Sequence, residues 1–233
     1  MAIRGKYLVF RHFLLIFVFS LIIIFSFSSV EADKQPVWEW SSSSPITNVD
    51  ISNDSKNISA TYARSVSLWL NDTYTPYDTK TEGDGIRYME MSSNGKYVIT
   101  GEEIDKTLTL RTNGSKLWSK SDFLNSLNGI DISDNGDNIT AIDFRNVYFF
   151  NKGSNEEVWN SYIASQEMTS VAISPDGRYV AAGTLDGNVY VYLSSDEEDT
   201  WYHSDPFDGK ICKLLSIAVS SNLLLANVPV GAI

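Results

Sequence analysis

One short pattern recurs along this 233-residue chain, and its spacing constrains the fold more than any other feature. Each copy has two apolar residues separated by one position, then a Ser, a polar turn and a short apolar strand. The clearest copy runs from Val171 to Gly183 with the sequence VAISPDGRYVAAG. The serines at corresponding positions stand at intervals of 40, 41, 41 and 46 residues: Ser52, Ser92, Ser133, Ser174 and Ser220. A fixed period in this range indicates a repeat architecture.

Each copy of the pattern predicts four antiparallel strands and no helix. Apolar residues stand three positions and one position before each Ser, and this alternation is typical of a β-strand. The Ser-x-Asn/Asp-Gly sequence that follows is typical of a hairpin turn in which the Gly adopts a positive φ. Two more strands follow, and then a segment that carries a tryptophan: Trp118, Trp159 or Trp201. We therefore expect an all-β chain of four-stranded sheets that stack on one another.

Several of these segments resemble a known superfamily. The turn Ser174–Gly177 (SPDG) and residues 186–192 are similar to a blade of a WD-repeat or quinoprotein-like β-propeller, while residues 117–118 and 158–159 are closer to quinoprotein-like repeats. The resemblance covers about residues 38–228 and implies a β-propeller of four-stranded antiparallel blades. No Gly-His precedes an innermost strand and no Trp-Asp closes a third strand, so the buried His-Asp network of true WD repeats is not expected.

The period and the resemblance together predict the domain organisation. Four complete blades are expected, with a partial fifth, at about residues 46–80, 85–120, 127–162, 168–204 and 211–233. Residues 36–41 match an outermost strand with no inner strands before it, and in the resembling folds such a strand completes the last blade and closes the ring. Either the ring has five blades with a ragged last one, or the chain is the front part of a longer protein. We expect the second, because an apolar end at 228–233 is unusual for a closing strand.

The amino terminus has the pattern of an export signal. Basic residues precede an uncharged apolar run from Phe13 to Phe27, and Val30 and Ala32 are the small residues expected before a cleavage site. We predict a signal peptide at residues 1–32, with the β-propeller at 33–233. The alternative is an uncleaved apolar helix over Phe13–Val30 that anchors the chain in a membrane. Both interpretations place the remainder outside the cytoplasm, secreted or at the cell surface, because the basic residues stay inside.

Composition excludes several classes of function. The net charge is −11, and an acidic surface repels phosphate backbones, so no nucleic-acid partner is expected. There is one cysteine, Cys212, and there are two histidines, His12 and His203. This scarcity disfavours a Ser-His-Asp triad and a zinc site. We expect no catalytic residues, no cofactor and no metal site; Asp131–Asn135 resembles half of a calcium loop, but Ile142 stands where that loop needs Glu.

Three groups of residues are candidates for binding or modification. Asp50, Glu90 and Asp131 occupy the same position in three innermost strands, where they predict an acidic arc that binds a cation or a basic peptide. The alternative, which we favour, is that each carboxylate accepts hydrogen bonds from the turn of the neighbouring blade. A second candidate is a docking loop formed by Asp196, Glu197, Glu198 and Asp199. N-glycosylation sequons begin at Asn53, Asn57, Asn71, Asn113 and Asn138.

The sequence as a whole predicts an exported, non-catalytic β-propeller that acts as a scaffold for an unidentified protein or peptide partner, or for another ligand. Two alternatives stay open. In the first, the chain is the front part of a propeller enzyme, such as a quinone-dependent dehydrogenase or a hydrolase, with its active residues on further blades. It also fits the ectodomain of a membrane-anchored sensor or adaptor held through Phe13–Val30.

Overall fold

The computed structural model describes residues 34–81, 85–102, 104–163 and 167–195, and the backbone of residues 199–203, 216–219 and 224–227. These residues form strands and turns, with no helix among them. In chain order the strands are β1 (Ile46–Ile51), β2 (Asn57–Tyr62), β3 (Ser65–Leu70), β4 (Asp78–Thr81), β5 (Ile86–Met91), β6 (Tyr97–Glu102), β7 (Leu108–Thr112), β8 (Ser115–Lys120), β9 (Gly129–Ile132), β10 (Asn138–Ile142), β11 (Asn146–Asn151), β12 (Glu157–Tyr162), β13 (Met168–Ile173), β14 (Tyr179–Thr184), β15 (Val189–Leu193), β16 (Asp199–His203), β17 (Ser216–Val219) and β18 (Leu224–Asn227).

The strands form four sheets of four strands each, followed by a two-stranded sheet. Every sheet is antiparallel and keeps chain order: β1–β4, β5–β8, β9–β12, β13–β16 and β17–β18. The predicted all-β chain of four-stranded antiparallel sheets is thereby confirmed, and these sheets are consistent with propeller blades. The apolar N-terminal helix or signal peptide lies outside the described residues.

Successive sheets contact one another through their first strands. β5 lies against β1, β9 against β5, β13 against β9 and β17 against β13, so the first strand of each sheet is the innermost one. The apolar cores lie between neighbouring sheets, and one core cluster joins Ile99 and Leu110 of the second sheet to Ile139 and Phe150 of the third. Each sheet thus buries its apolar side chains against its neighbours rather than within itself.

The chain divides into two compact units, Met1–Glu39 and Trp40–Ile233, and all of the sheets belong to the second. The described residues of the first unit, 34–39, have no strand. The sequence predicts an outermost strand at residues 36–41. In the structure these residues form no strand that pairs with another described strand.

The recurring serine organises the turn after each innermost strand. The Ser174 hydroxyl donates to Asp176 Oδ1 at 2.6 Å and accepts the N–H of Tyr179 at 2.9 Å. The first three sheets repeat both hydrogen bonds, with Ser52, Ser92 or Ser133 in the place of Ser174. The four serines are buried, and they satisfy backbone groups that the tight turn would otherwise leave without partners.

Two buried threonines allow a test of how hydroxyl groups affect stability inside the sheets. Among the described residues, the Thr100 hydroxyl has no hydrogen-bond partner, whereas the Thr140 hydroxyl donates to the Tyr148 carbonyl at 3.0 Å. A buried hydroxyl without a partner costs about 1–3 kcal/mol, so Thr100→Val should raise the free energy of unfolding by about 1 kcal/mol. Thr140→Val should lower it by about 1 kcal/mol. Urea unfolding followed by tryptophan fluorescence measures both changes, and effects of the same sign would contradict the assignment.

Candidate functional site

The three acidic residues singled out by the sequence lie on three adjacent innermost strands. Asp50 is on β1, Glu90 on β5 and Asp131 on β9, and each is partly buried. The carboxylates of Asp50 and Asp131 both act electrostatically on Glu90, so the three side chains form one acidic cluster. Ala172 takes the corresponding position on β13.

The two aspartates of this cluster link neighbouring sheets. Asp50 accepts the N–H of Ile51 in its own strand at 2.7 Å and the N–H of Met91 in the next innermost strand at 2.9 Å. Asp131 repeats this arrangement with Ile132 at 2.8 Å and Ile173 at 2.7 Å. Each carboxylate therefore bridges two sheets. The donors from the neighbouring sheet are strand residues, and not the turn residues that the sequence analysis expected.

Glu90 has a different environment, although it occupies the equivalent position. Asp50 and Asp131 each accept an N–H from the next sheet. For Glu90 the N–H at the corresponding position is that of Ile132, and this N–H already donates to Asp131. Burial, together with the carboxylates of Asp131 and Asp50, raises the pKa of Glu90 to about 8. Glu90 is therefore mostly protonated at neutral pH.

The charge of the cluster is smaller than the number of its carboxyl groups. Burial raises the pKa of Asp131 although the N–H groups of Ile173 and Ile132 oppose this effect, and the resulting pKa is about 7. Among the described residues, no group of three His, Cys, Asp or Glu side chains has the geometry to hold a metal ion. Binding of a cation or a basic peptide by this arc stays a prediction.

Tryptophans connect the outermost strand of one sheet to the third strand of the next. Trp118 of β8 donates its indole N–H to the Lys152 carbonyl at 2.9 Å, and its ring lies 5.9 Å from that of Phe150. Trp159 of β12 donates to the Ser194 carbonyl at 3.0 Å, with its ring 5.3 Å from that of Tyr192. Both contacts repeat at the spacing of the sheets, as expected of structural residues. The side chain of Trp201 lies outside the described residues.

Trp40 makes the corresponding contact with the first sheet. Its ring lies 4.9 Å from that of Trp69 and 5.2 Å from that of Tyr62. Trp69, Phe150 and Tyr192 occupy equivalent positions in their sheets. Each pairs across the sheet with the residue six positions after the recurring serine. Trp40 thus contacts the first sheet as Trp118 contacts the third.

Two charged side chains of opposite sign, Asp78 and Arg111, take the place of this aromatic contact between the first and second sheets. Strand register puts Asp78 of β4 at the position of Trp118, and Arg111 of β7 at the position of Phe150. Arg111 is buried; burial lowers the pKa of its guanidinium, and the Asp78 carboxylate opposes that effect. The sequence analysis missed this pair, although the signal was present: a tryptophan is absent from one outermost segment and an arginine stands in the next third strand.

We expect Asp78 and Arg111 to be energetically coupled. Asp78→Ala and Arg111→Met should each lower the free energy of unfolding by about 2 kcal/mol, because each removes the attraction between the Asp78 carboxylate and the buried Arg111 guanidinium. The double variant should be more stable than the sum of the two losses predicts, by about 1–3 kcal/mol. Lys80→Ala is the control, since Lys80 lies 2.9 Å from Asp78 but is exposed. Strict additivity in a double-mutant cycle would contradict the coupling.

In the described part of the chain, one apolar face of the first sheet is exposed at its innermost strand β1. Val49 and Ile51 are 67% and 53% exposed, whereas the corresponding Met89 and Met91 of the second sheet are 4% and 8% exposed. In the later sheets these positions are covered by the preceding sheet. The first sheet therefore has an exposed apolar face of the kind that packs against another sheet.

A second exposed apolar surface lies at one end of the second and third sheets. We call it the rim band, and it consists of Ile104, Lys106, Leu124, Phe144, Arg145 and Tyr162. Its four apolar side chains are between 39% and 73% exposed. The connecting segments hold it together: Lys106 Nζ donates to the Leu124 carbonyl at 2.9 Å, and the N–H of Asn125 donates to Asp143 Oδ2 at 3.3 Å. The sequence analysis did not find this surface, because its residues belong to loops with no recurring pattern.

The remaining sequence candidates are only partly described. Asp196, Glu197 and Glu198 lie outside the described residues, and Asp199 begins β16 with its backbone alone described, so the docking loop stays a prediction. The side chain of His203 and all of Cys212 are likewise not described. In the part of the chain that the structure describes, no helix is long and apolar enough to cross a membrane; the run Phe13–Val30 lies outside that part.

The sequons differ in accessibility. Asn53, Asn71 and Asn113 are exposed. Asn57 and Asn138 are partly buried at the start of a strand, and each side chain packs against the turn glycine of the next sheet. A glycan at either of these two positions would disturb a contact between sheets. Glycosylation stays a prediction for all five, and exposure favours the first three.

Comparison with known families gives one match. The profile of the family described as WD40 (WD domain, G-beta repeat) matches residues 158–192. This segment runs from the outermost strand of the third sheet to the third strand of the fourth, and so includes Trp159 and the SPDG turn. Together with the succession of antiparallel sheets, the match supports a WD-repeat or β-propeller-like family. No curated protein matches the chain.

Proposed function

We propose that this chain is an exported, non-catalytic scaffold that binds a protein or peptide partner. WD40 repeat domains are typically non-catalytic and generally mediate contacts between proteins. The observation that carries the proposal is the combination of that repeat match with the rim band, an exposed apolar surface on a rigid stack of sheets. Export is supported by the basic and apolar N-terminal pattern and by the exposed sequons.

The acidic cluster has a structural part within this proposal. Asp50 and Asp131 are engaged in hydrogen bonds between sheets, so their carboxylates help to hold the surface in one conformation. We further propose that the segment around Trp40 supplies the outermost element of a blade, and that this blade covers the exposed apolar face of the first sheet. The support is that Trp40 contacts Trp69 as the outermost tryptophans contact later sheets.

A membrane-impermeant, amine-reactive cross-linker applied to intact cells tests location and partner binding together. Exposed lysines such as Lys56 and Lys96 should react without lysis, and the chain should be recovered cross-linked to a second protein. That protein, once purified, should bind the purified chain. Reaction only after lysis would contradict export, and a chain recovered without any partner would contradict the scaffold function.

The uncharged run Phe13–Val30 specifically favours a second candidate, a membrane-anchored ectodomain. Alkaline carbonate extraction distinguishes the two forms. A cleaved, secreted chain is found in the soluble fraction with Asp33 at its amino terminus, whereas an anchored chain stays with the membranes.

A further inference from the structure

Hydrogen bonds and a cation–π contact link residues of the rim band to one another. Arg145 Nη1 donates to the Tyr162 hydroxyl at 3.4 Å, and its guanidinium lies 5.4 Å from the centre of the Phe144 ring. The N–H of Ile163, the residue after β12, donates to the Arg145 carbonyl at 2.8 Å. This hydrogen bond holds the backbone of Arg145 at the end of the third sheet. Lys106 joins this group through its hydrogen bond to the Leu124 carbonyl.

The apolar side chains of the band are largely exposed. Ile104 and Leu124 are 72% and 73% exposed, and Tyr162 is 58% exposed; exposed apolar residues that lie together in this way mark interaction sites. Exposed Tyr, Phe and Arg side chains are also the residues enriched at the energetic centres of protein interfaces. The band therefore has the character of an interface rather than that of a solvated loop.

The charges of the band select the chemistry of its partner. Among the described residues, no carboxylate forms an ion pair with Arg145, whose guanidinium contacts only a hydroxyl group and an aromatic ring. Lys106 donates one of its three N–H groups to the Leu124 carbonyl, and the other two can donate to a ligand. Both cations belong to a chain whose net charge is −11, so they are local exceptions to its acidic character.

We propose that the rim band binds an acidic, apolar peptide segment of a partner protein. A carboxylate of that segment pairs with the Arg145 guanidinium, and adjacent aliphatic or aromatic side chains pack on Leu124, Phe144 and Tyr162. A guanidinium presents two parallel N–H donors to a carboxylate, and this geometry gives orientation as well as affinity. The proposal rests on the proposed scaffold function and names its binding surface.

A peptide library displayed on phage, randomised at all positions and selected on the immobilised full chain, tests this assignment. The wild-type chain should enrich peptides that carry Asp or Glu beside aliphatic or aromatic residues. Arg145→Glu should weaken binding of these peptides at least about tenfold and should select Lys or Arg in place of the acidic residue. Leu124→Ser should weaken them by a similar factor. Leu124 is exposed and Arg145 is only partly buried, so circular dichroism should show the fold unchanged.

Leu117→Ser and Val158→Ser are matched controls, because these apolar side chains are also exposed but lie on outermost strands. Both controls should bind the selected peptides as the wild type does. Peptides that bind equally well to Arg145→Glu and Leu124→Ser would overturn the assignment to the rim band and leave the scaffold function standing. A selection that enriches no peptide on the wild-type chain would overturn both.

Discussion

Replacing Glu90 by Gln is expected to flatten the dependence of the unfolding free energy on pH. The pKa of Glu90 is raised from its ordinary value of 4.5 to about 8 in the folded chain, so between these values the folded state binds a proton that the unfolded state releases. Stability of the wild type must therefore fall as the pH rises from about 4.5 to 8. Each unit of raised pKa corresponds to about 1.4 kcal/mol, and allowing for the partial exposure of Glu90 we expect a total loss of roughly 3 kcal/mol.

Urea unfolding at pH 5, 6, 7, 8 and 9 measures this effect. Glu90→Gln should have nearly wild-type stability at pH 5 and clearly higher stability at pH 8, where the wild type carries the buried charge. Part of the slope below pH 7 should stay in the variant, because the pKa of Asp131 is also raised, to about 7. Glu156→Gln removes an exposed carboxylate and is the control. Parallel profiles for the wild type and Glu90→Gln would show that the pKa of Glu90 is not raised in the folded chain.

Replacing Gly136 by Ala is expected to destabilise the chain by about 2–5 kcal/mol. Gly136 has a φ of +76°, which costs a residue with a side chain about 1–2 kcal/mol. Its added methyl group would also overlap the ring of Tyr97 in the preceding sheet, and overpacking of this kind adds about 1–3 kcal/mol. The turn glycine is thus a contact between sheets as well as a turn residue.

Two other glycines separate these contributions. Gly85 has a φ of +66°, but no atom of the described residues lies within 4 Å of an added methyl group, so Gly85→Ala should cost only about 1 kcal/mol. Gly153 has neither a positive φ nor a neighbour within that distance, so Gly153→Ala should have almost no effect. Thermal unfolding of the three variants gives the order of stability. An equal loss for Gly136→Ala and Gly85→Ala would mean that the sheets do not pack closely at this turn.

The repeat and its turn chemistry could be predicted because they depend on neighbouring residues in the sequence. The hydroxyl of Ser174 bonds to groups two and five residues further on, so the six residues Ser174–Tyr179 are sufficient to predict this turn. The same holds for the structural tryptophans, whose spacing equals that of the sheets. Periodicity of two and the recurring glycine were therefore sufficient for an all-β chain of four-stranded sheets.

Other features depend on which groups meet across sheets, and a linear pattern does not contain that information. Asp50, Glu90 and Asp131 are equivalent in sequence, yet only the aspartates receive two backbone N–H donors, because the Ile132 donor is already engaged. The pair Asp78 and Arg111 departs from the repeat at two positions at once, so neither residue looks significant alone. The rim band is formed by connections between sheets, where the repeat is weakest.

Site-specific photocross-linking in the native cell tests the central claim, that this chain presents one surface to a protein partner. p-Benzoylphenylalanine is introduced in place of Leu124 in the rim band or, as the control, in place of Leu117 on the outermost strand β8. Irradiation should join the first variant to one specific protein and give little or no adduct with the second. Equal cross-linking from both positions, or none from either, would contradict the claim.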